Sequence, residues 1–312
     1  FPYTTLFRSS LGRVAANHFG ATLALARSAL KAGHLAEAIV GPKALARLSG
    51  GAWKEGMPKP QALRYDITRS SGDKVVYFPT CAGRMFGADT PEHALSATVI
   101  RVLERAGYAP IVPEGVNSLC CGQSFASKGL AEDADRKSAE LEAALMKASN
   151  NGEYPVILDA SACSLRMKTF LAERLKVYDL VEFAHDALLP RLMITRQPGP
   201  VALHVNCSVK RTGADSKLKA LVTACVEQVV EPASTTCCGF AGDRGFLVPE
   251  LNQHAMRNIH AELQEKAPAG CACGVSTNRT CEIGLTAETG ITYRSVAYLL
   301  EACSRREETI TC

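Results

Sequence analysis

No apolar run in this 312-residue chain approaches the length needed to span a bilayer, so no segment of it reads as a membrane-spanning helix. Charge of one sign is also scarce. The formal net charge of +4 gives no reason to invoke nucleic acid or an anionic membrane as partner. No secretory signal opens the chain, and no clean G-x-G-x-x-G follows a strand; CCGFAGDRG suggests a phosphate loop only superficially. The chain begins Phe1-Pro2-Tyr3, its first methionine is Met57, and Phe1 to Ser10 carries no helical or strand period. That stretch looks like foreign adaptor sequence, and the chain is expected to be a piece of a longer protein.

What is present is a soluble, well-packed composition, 47% hydrophobic and 21% charged, with room for two domains. It also carries 13 cysteines. Without a secretory signal these point to a reducing compartment and to metal or redox thiols rather than disulfides. They fall in a repeat. The first copy runs Cys81, Cys120-Cys121-Gly122, Cys163; the second runs Cys207, Cys237-Cys238-Gly239, Cys281. Cys207 follows Cys81 by 126 residues, Cys237 follows Cys120 by 117 and Cys281 follows Cys163 by 118. Such register marks a duplicated unit.

The segments around the cysteines alternate between strand and helix patterns. Runs 74–79, 111–114 and 155–160 in the first copy, and 201–206, 227–232 and 273–278 in the second, read as strands. Leu95, Val99, Val102, Leu103 and Ala106 make one helix face; Ala134, Leu141, Leu145 and Ala148 a second; Leu218, Leu221, Val222, Cys225 and Val226 a third; Leu251, Ala255, Ile259 and Leu263 a fourth. Residues 13–32 read as a helix ended by Gly33, followed by linker chemistry with Gly50-Gly51, Pro58, Pro60 and Gly72. The fold class expected is α/β: two pseudo-repeated lobes, each a small mainly parallel sheet with flanking helices, plus an N-terminal helical linker. The divisions are 1–72, 73–196, 197–303 and a tail 304–312. The cysteines fall just past strand ends, where open α/β sheets place ligands. Several also precede a helix, where the dipole lowers a thiol pKa.

Four thiolates per copy suit either an iron–sulfur cluster or structural zinc. The absence of a Cys-x-x-Cys knuckle, and ligands drawn from three separate loops, favour iron–sulfur. Gly122, Gly239, Gly242 and Gly245 are expected to turn the backbone tightly around the metal. Asp159, Asp243 and Arg244 either tune the site or form a loop salt bridge. Cys225 and Cys303 read as core, Cys271 and Cys273 as structural rather than spare ligands, and Cys312 as a free terminal thiol. His204, within a strand, and His185, in an apolar helix, read as core groups.

This double pattern resembles the CCG (cysteine-rich) domain pair, over about residues 74–303. That family includes the B subunit of heterodisulfide reductase, the iron–sulfur subunit of glycolate oxidase and the lactate-utilisation iron–sulfur protein. YFPTCAGRMFG, CCGQSFASKG, VEFAHDALLPRL, HVNCSVKR, CCGFAGDRGFLVPEL and STNRTCEIGL are similar to the C-terminal part of bacterial FAD- and iron–sulfur-containing D-lactate dehydrogenases. The helix at 13–32 is similar to the segment that joins their ferredoxin-like domain to this module. The resemblance implies metal ligation by Cys81, Cys120, Cys121 and Cys163, and by Cys207, Cys237, Cys238 and Cys281, with Gly122, Gly239, Asp243 and Arg244 lining the cofactor. The wider motif ends Cys-x-x-Cys, but Ala160 and Asn278 hold its first position here. A [4Fe–4S] cubane, or zinc at one site, is therefore expected in place of a five-thiolate cluster. The implied function is electron transfer from flavin to a quinone or cytochrome acceptor during oxidation of D-lactate or a related 2-hydroxy acid. FAD is expected only in a missing upstream domain, the partners are flavin and ferredoxin-like domains or subunits, and the location is cytoplasmic, peripheral to the inner membrane face. The chain alone is expected to be inactive. The alternatives are a separate subunit of a glycolate or lactate oxidase complex, and a zinc-stabilised docking module without catalysis.

Overall fold

The computed structural model describes residues 2–54, 56–60, 65–87, 93–172, 174–234 and 237–304, the side chains of 2–9 excepted. Cys312 lies outside them. The N-terminal part is more helical than its pattern suggests. Three helices, α1 (Pro2–Asn17), α2 (Phe19–Val40) and α3 (Pro42–Leu48), replace the single helix expected over 13–32. Gly33 does not stop α2, because the ring of Trp53 packs where its side chain would be: a Cβ there would lie 2.1 Å from Trp53 Cζ3. Tertiary packing thus outweighs the roughly 1 kcal/mol that glycine costs inside a helix. The helix ends instead at Gly41, at φ 82°, with Pro42 starting α3. The expected linker is also partly packed, since Trp53 and Met57 join an apolar cluster of the second lobe.

The first lobe runs β1 (Asp73–Phe78), α4 (Cys81–Met85), α5 (Leu95–Arg105), β2 (Tyr108–Ile111), α6 (Gln123–Ala126), α7 (Ala131–Ala148), β3 (Val156–Leu158), α8 (Ser161–Leu171), β4 (Val177–Asp179) and α9 (Leu180–Phe183). The second runs β5 (Gln197–Leu203), α10 (Cys207–Thr212), α11 (Asp215–Cys225), β6 (Val226–Val230), α12 (Pro249–Met256), α13 (Ile259–Lys266), β7 (Cys273–Ser276), α14 (Arg279–Thr289), β8 (Tyr293–Ser295) and α15 (Val296–Cys303). Each lobe is a four-stranded, all-parallel sheet, in the order β2-β1-β3-β4 and β6-β5-β7-β8. Both faces are covered by helices, so Val75, Val76, Tyr77 and Phe78 are all buried and β1 reads as a continuous apolar run.

Three details differ from the sequence reading. The strand placed at 111–114 lies upstream, at Tyr108–Ile111; Pro110 is accommodated because β2 is an edge strand. The face from Leu251 to Leu263 is two helices broken at Arg257-Asn258. The last strands, β4 and β8, are three residues each, too short to show a period.

The lobes meet by reciprocal contacts. Helix α5 packs on α15 while α11 packs on α9, and α8 packs on α10 while α14 packs on α4. By chain order α5 corresponds to α11, α9 to α15, α4 to α10 and α8 to α14, so each contact has its counterpart across a pseudo-twofold relation. One buried cluster runs without a break from Val75 and Val99 to Val201 and Leu221. The Arg101–Glu301 ion pair, at 2.5 Å, and the bond from Arg105 to the Glu301 carbonyl, at 3.0 Å, fasten α5 to α15.

Candidate metal centre

The parallel sheets put the cysteines at their C-terminal ends. Cys81 and Cys207 open α4 and α10, directly after β1 and β5; Cys163 and Cys281 sit in the first turn of α8 and α14, after β3 and β7. The Cys-Cys pairs follow β2 and β6 through longer loops. In the first lobe the thiols form a chain of side-chain interactions, Cys81 to Cys120, Cys120 to Cys121 and Cys121 to Cys163. The second lobe repeats it through Cys207, Cys237, Cys238 and Cys281. Cys238 and Cys281 sulfurs stand 3.0 Å apart. Sulfurs around tetrahedral zinc, each about 2.3 Å from the ion, lie about 3.8 Å from one another. Cys238 and Cys281 are thus closer together than one zinc ion would hold them, and among the described residues no three ligating side chains form a group that could hold a metal ion. Donor number, donor type and placement at the ends of like strands nonetheless fit a group held by four thiolates once the sulfurs move apart.

The turn after each Cys-Cys pair is the same. The amides of Gly122 and Gly239 point back at the sulfurs of Cys120 and Cys237, each at 3.4 Å. Both glycines are left-handed, at φ 84° and 69°. A Cβ at Gly122 would sit 2.2 Å from the Ala134 carbonyl oxygen, and one at Gly239 2.3 Å from that of Leu251. Gly242 also has positive φ, but Gly245 does not; the Phe240 ring lies against it instead.

Several positioning residues escaped the sequence reading. The Ser138 hydroxyl donates to the Cys121 carbonyl at 2.8 Å, and the Asn252 amide to the Cys238 carbonyl at 2.7 Å. These are corresponding bonds from α7 and α12. Their only sequence signal is a polar residue on an apolar helix face. Arg84 is buried on α4 and donates to the carbonyls of Val116 and Leu119, the latter directly before Cys120, with its guanidinium over the Phe78 ring. Asp159, already singled out in the sequence, forms no loop salt bridge with these partners: it accepts from the Tyr77 hydroxyl at 2.7 Å and the Thr80 amide at 2.9 Å, so it fixes the residue before Cys81. The second lobe has no charged pair at the matching positions, where Lys210 and Thr277 stand; it instead buries Arg279 and Glu282 on α14, paired at 2.6 Å beside Cys281. Lys210 is exposed, and Asn206 caps α10 through the amides of Ser208 and Val209.

Asp243 pairs with Lys128 at 2.7 Å in a half-exposed bridge between the lobes, and Arg244 is exposed. Asn278 accepts from the Ala162 amide across the lobe boundary at 3.1 Å, beside a 2.8 Å bond between the Ser161 and Thr277 hydroxyls. Cys225 and Cys303 are buried core residues, Cys273 is buried in β7, and Cys271 is partly exposed. His204 lies just past the end of β5. It is buried, and desolvation pushes its pKa down to about 4. His185 is not a core group: it is partly exposed in a π-turn and bonded to Asp186 at 2.7 Å. A cleft of about 320 Å³, lined by His34, Lys59, Arg279, Glu282 and Arg294 among others, contains none of the eight thiols.

The expected lowering of thiol pKa by helix ends does not hold in the first lobe. Cys81 is pushed up by its bond with Cys120 and by burial, and Cys120 is pushed up to about 12 by its bond with Cys121. Cys163 is lowered by its bond with Cys121, but burial and its neighbours leave it raised. In the second lobe Cys207 is raised by its bond with Cys237, and Cys237 is lowered by its bonds with Cys207 and Cys238. A pH prediction follows for the metal-free, reduced protein. Unfolded thiols ionise near 9, whereas Cys120 stays protonated to about 12. Above pH 9 the folded state therefore holds more protons, and stability falls as pH rises toward 12. The lowered Cys237 does not oppose this, because its gain is complete once an unfolded thiol has ionised. The urea midpoint should drop between pH 10 and pH 11.5; a constant midpoint would show that the thiols are not crowded.

Residues 75–168 and 201–286 match the cysteine-rich (CCG) domain family, once in each lobe. The chain belongs to that family. In this CCG pair the two matched segments contain all eight thiols of the two arrays. Its similarity to Lactate utilization protein A of Oceanobacillus iheyensis is 25% identity over 212 residues, covering 62% of this chain and 81% of the relative. Among the described residues no helix is long and apolar enough to cross a membrane.

Proposed function

We propose that this CCG pair is an iron–sulfur electron-transfer module of a lactate-oxidising system, passing electrons from a flavin, where D-lactate or a related 2-hydroxy acid is oxidised, toward a quinone or cytochrome. The observation that carries the reading is the pair of matching tetrathiol arrays at the C-terminal ends of two parallel sheets, taken with the lactate-related name of the relative. Cys81, Cys120, Cys121 and Cys163 would hold one group, and Cys207, Cys237, Cys238 and Cys281 the other. When bound, an iron–sulfur cluster supplies single-electron exchange. The chain's own part is to gather the sulfurs, hold the Cys121 and Cys238 carbonyls through Ser138 and Asn252, and keep water from the first array with buried Phe19 and Phe125.

A second reading places the module in a separate subunit rather than as the C-terminal part of a fused D-lactate dehydrogenase. The match over 81% of the relative's own length favours it. Both readings give the same expectation. The chain alone, incubated anaerobically with D-lactate and a redox dye, should give no lactate-dependent reduction, because hydride chemistry belongs to a flavin. Adding a flavin-containing D-lactate-oxidising protein should restore it. Lactate-dependent reduction by the chain alone would overturn both.

A further inference from the structure

The two thiol arrays differ in access. In the first, Cys120, Cys121 and Cys163 are buried, and Ala16 and Phe19 of the N-terminal helices pack with Cys120 and Phe125 over it. In the second, Cys207 and Cys237 are exposed. The rim of that opening is basic. Arg257 lines a small depression together with Cys237, and Lys210 and Arg211 lie within about one turn of Cys207 on α10. Arg244 follows on the loop after Cys238, and all four cations are exposed. The nearby acids are Asp215, Asp243, Glu250 and Glu262, and Glu262 accepts from the amides of Ala233 and Ser234 beside the same depression. Glu250 interacts with Lys54, and Asp243 is taken by Lys128. The same loop exposes apolar surface, with Leu247 74% exposed and Val248 and Leu251 more than 40%. Exposed apolar residues beside a mostly basic rim are the make-up of a transient, electrostatically steered interface.

We propose that this face, around Cys207 and Cys237, docks an acidic redox protein or domain, one that carries its cofactor beneath a carboxylate-rich surface. The proposal rests on the electron-transfer reading above. Arg257, Lys210 and Arg211 steer the partner by charge, and Leu247 and Leu251 provide the desolvated contact. Among the described residues the first array exposes only Cys81, and that in part, so exchange with a partner passes by the second.

The test uses the full chain, metal-loaded and anaerobic, with a plant-type [2Fe–2S] ferredoxin as acidic probe and cytochrome c as basic control, followed by calorimetry without any turnover. Ferredoxin is expected to bind at 20 mM salt and to weaken steeply by 300 mM. The double charge reversal Lys210→Glu/Arg257→Glu should weaken it ~10-fold. Leu247→Asn should weaken it without altering the salt dependence. Reversal of a distant surface charge, Lys176→Glu, should leave it unchanged. Absence of ferredoxin binding at low salt, full binding by the double variant, or equal binding of cytochrome c would each overturn the proposal. Because binding is read without lactate or flavin, failure of the lactate reading leaves this result standing, and the converse also holds.

Discussion

Cys163→Ser is expected to strip metal from the first lobe and leave the second loaded, and Cys281→Ser to do the reverse. Each array has four thiols and no fifth. Ala160 has no donor atom, and Asn278 gives its side-chain oxygen to the Ala162 amide across the lobe boundary. Serine is a poor replacement for a soft thiolate, so one substitution leaves three ligands and an open position. The expected result is loss of about half the bound metal in each single variant and of nearly all in the double. Cys225→Ala and Cys303→Ala are the controls. Both thiols are buried on apolar helix faces away from the arrays, and their truncation should keep full metal at a cost of about 1–2 kcal/mol of stability. If Cys281→Ser keeps its metal while Cys271→Ser loses it, the second array has been assigned to the wrong third arm.

Gly122→Val should be the most damaging glycine replacement, with Gly239→Val close behind. At Gly122 a branched side chain meets two obstacles: a left-handed backbone, and the Ala134 carbonyl oxygen 2.2 Å from the new Cβ. Left-handed strain and overpacking together cost about 2–5 kcal/mol. The backbone cannot yield without moving the Cys120 amide neighbourhood and breaking the Ser138 bond to the Cys121 carbonyl. The expected outcome is a lower denaturation midpoint and loss of metal in the same lobe only. Gly242→Ala is the informative contrast. It shares the positive φ but has open space around it, so it should cost only about 1 kcal/mol and keep its metal.

Much of this was legible because both sheets are buried on two faces. Runs such as 74–79 and 201–206 must then be apolar throughout, and the cysteines must follow them. The duplication was legible because the thiols that share an array must sit in like loops of like lobes. The rest was hidden for physical reasons. Gly33 reads as a stop signal, but Trp53, twenty residues on, packs against it and keeps the helix going. Strands β4 and β8 are set by pairing with β3 and β7 rather than by their own residues. Arg84 sits in an ordinary-looking TCAGRMFG, and only the folded chain shows its guanidinium buried beneath the Cys120 loop. The cap placed over the first array by Ala16 and Phe19 joins residues more than a hundred positions apart from Cys120, and no local period encodes it.

The central claim is that at least one lobe holds a thiolate-ligated iron–sulfur group, the other holding the same or zinc. It is tested most directly by iron, acid-labile sulfide and zinc quantitation on chain purified without oxygen, with iron X-ray absorption read on the same sample. The account predicts iron and sulfide in equal amounts, with an iron shell dominated by sulfur at about 2.3 Å; zinc in one lobe would lower the iron without changing that shell. Protein that is correctly folded but carries only zinc, or no metal at all, after anaerobic purification and reconstitution with iron and sulfide, would contradict it.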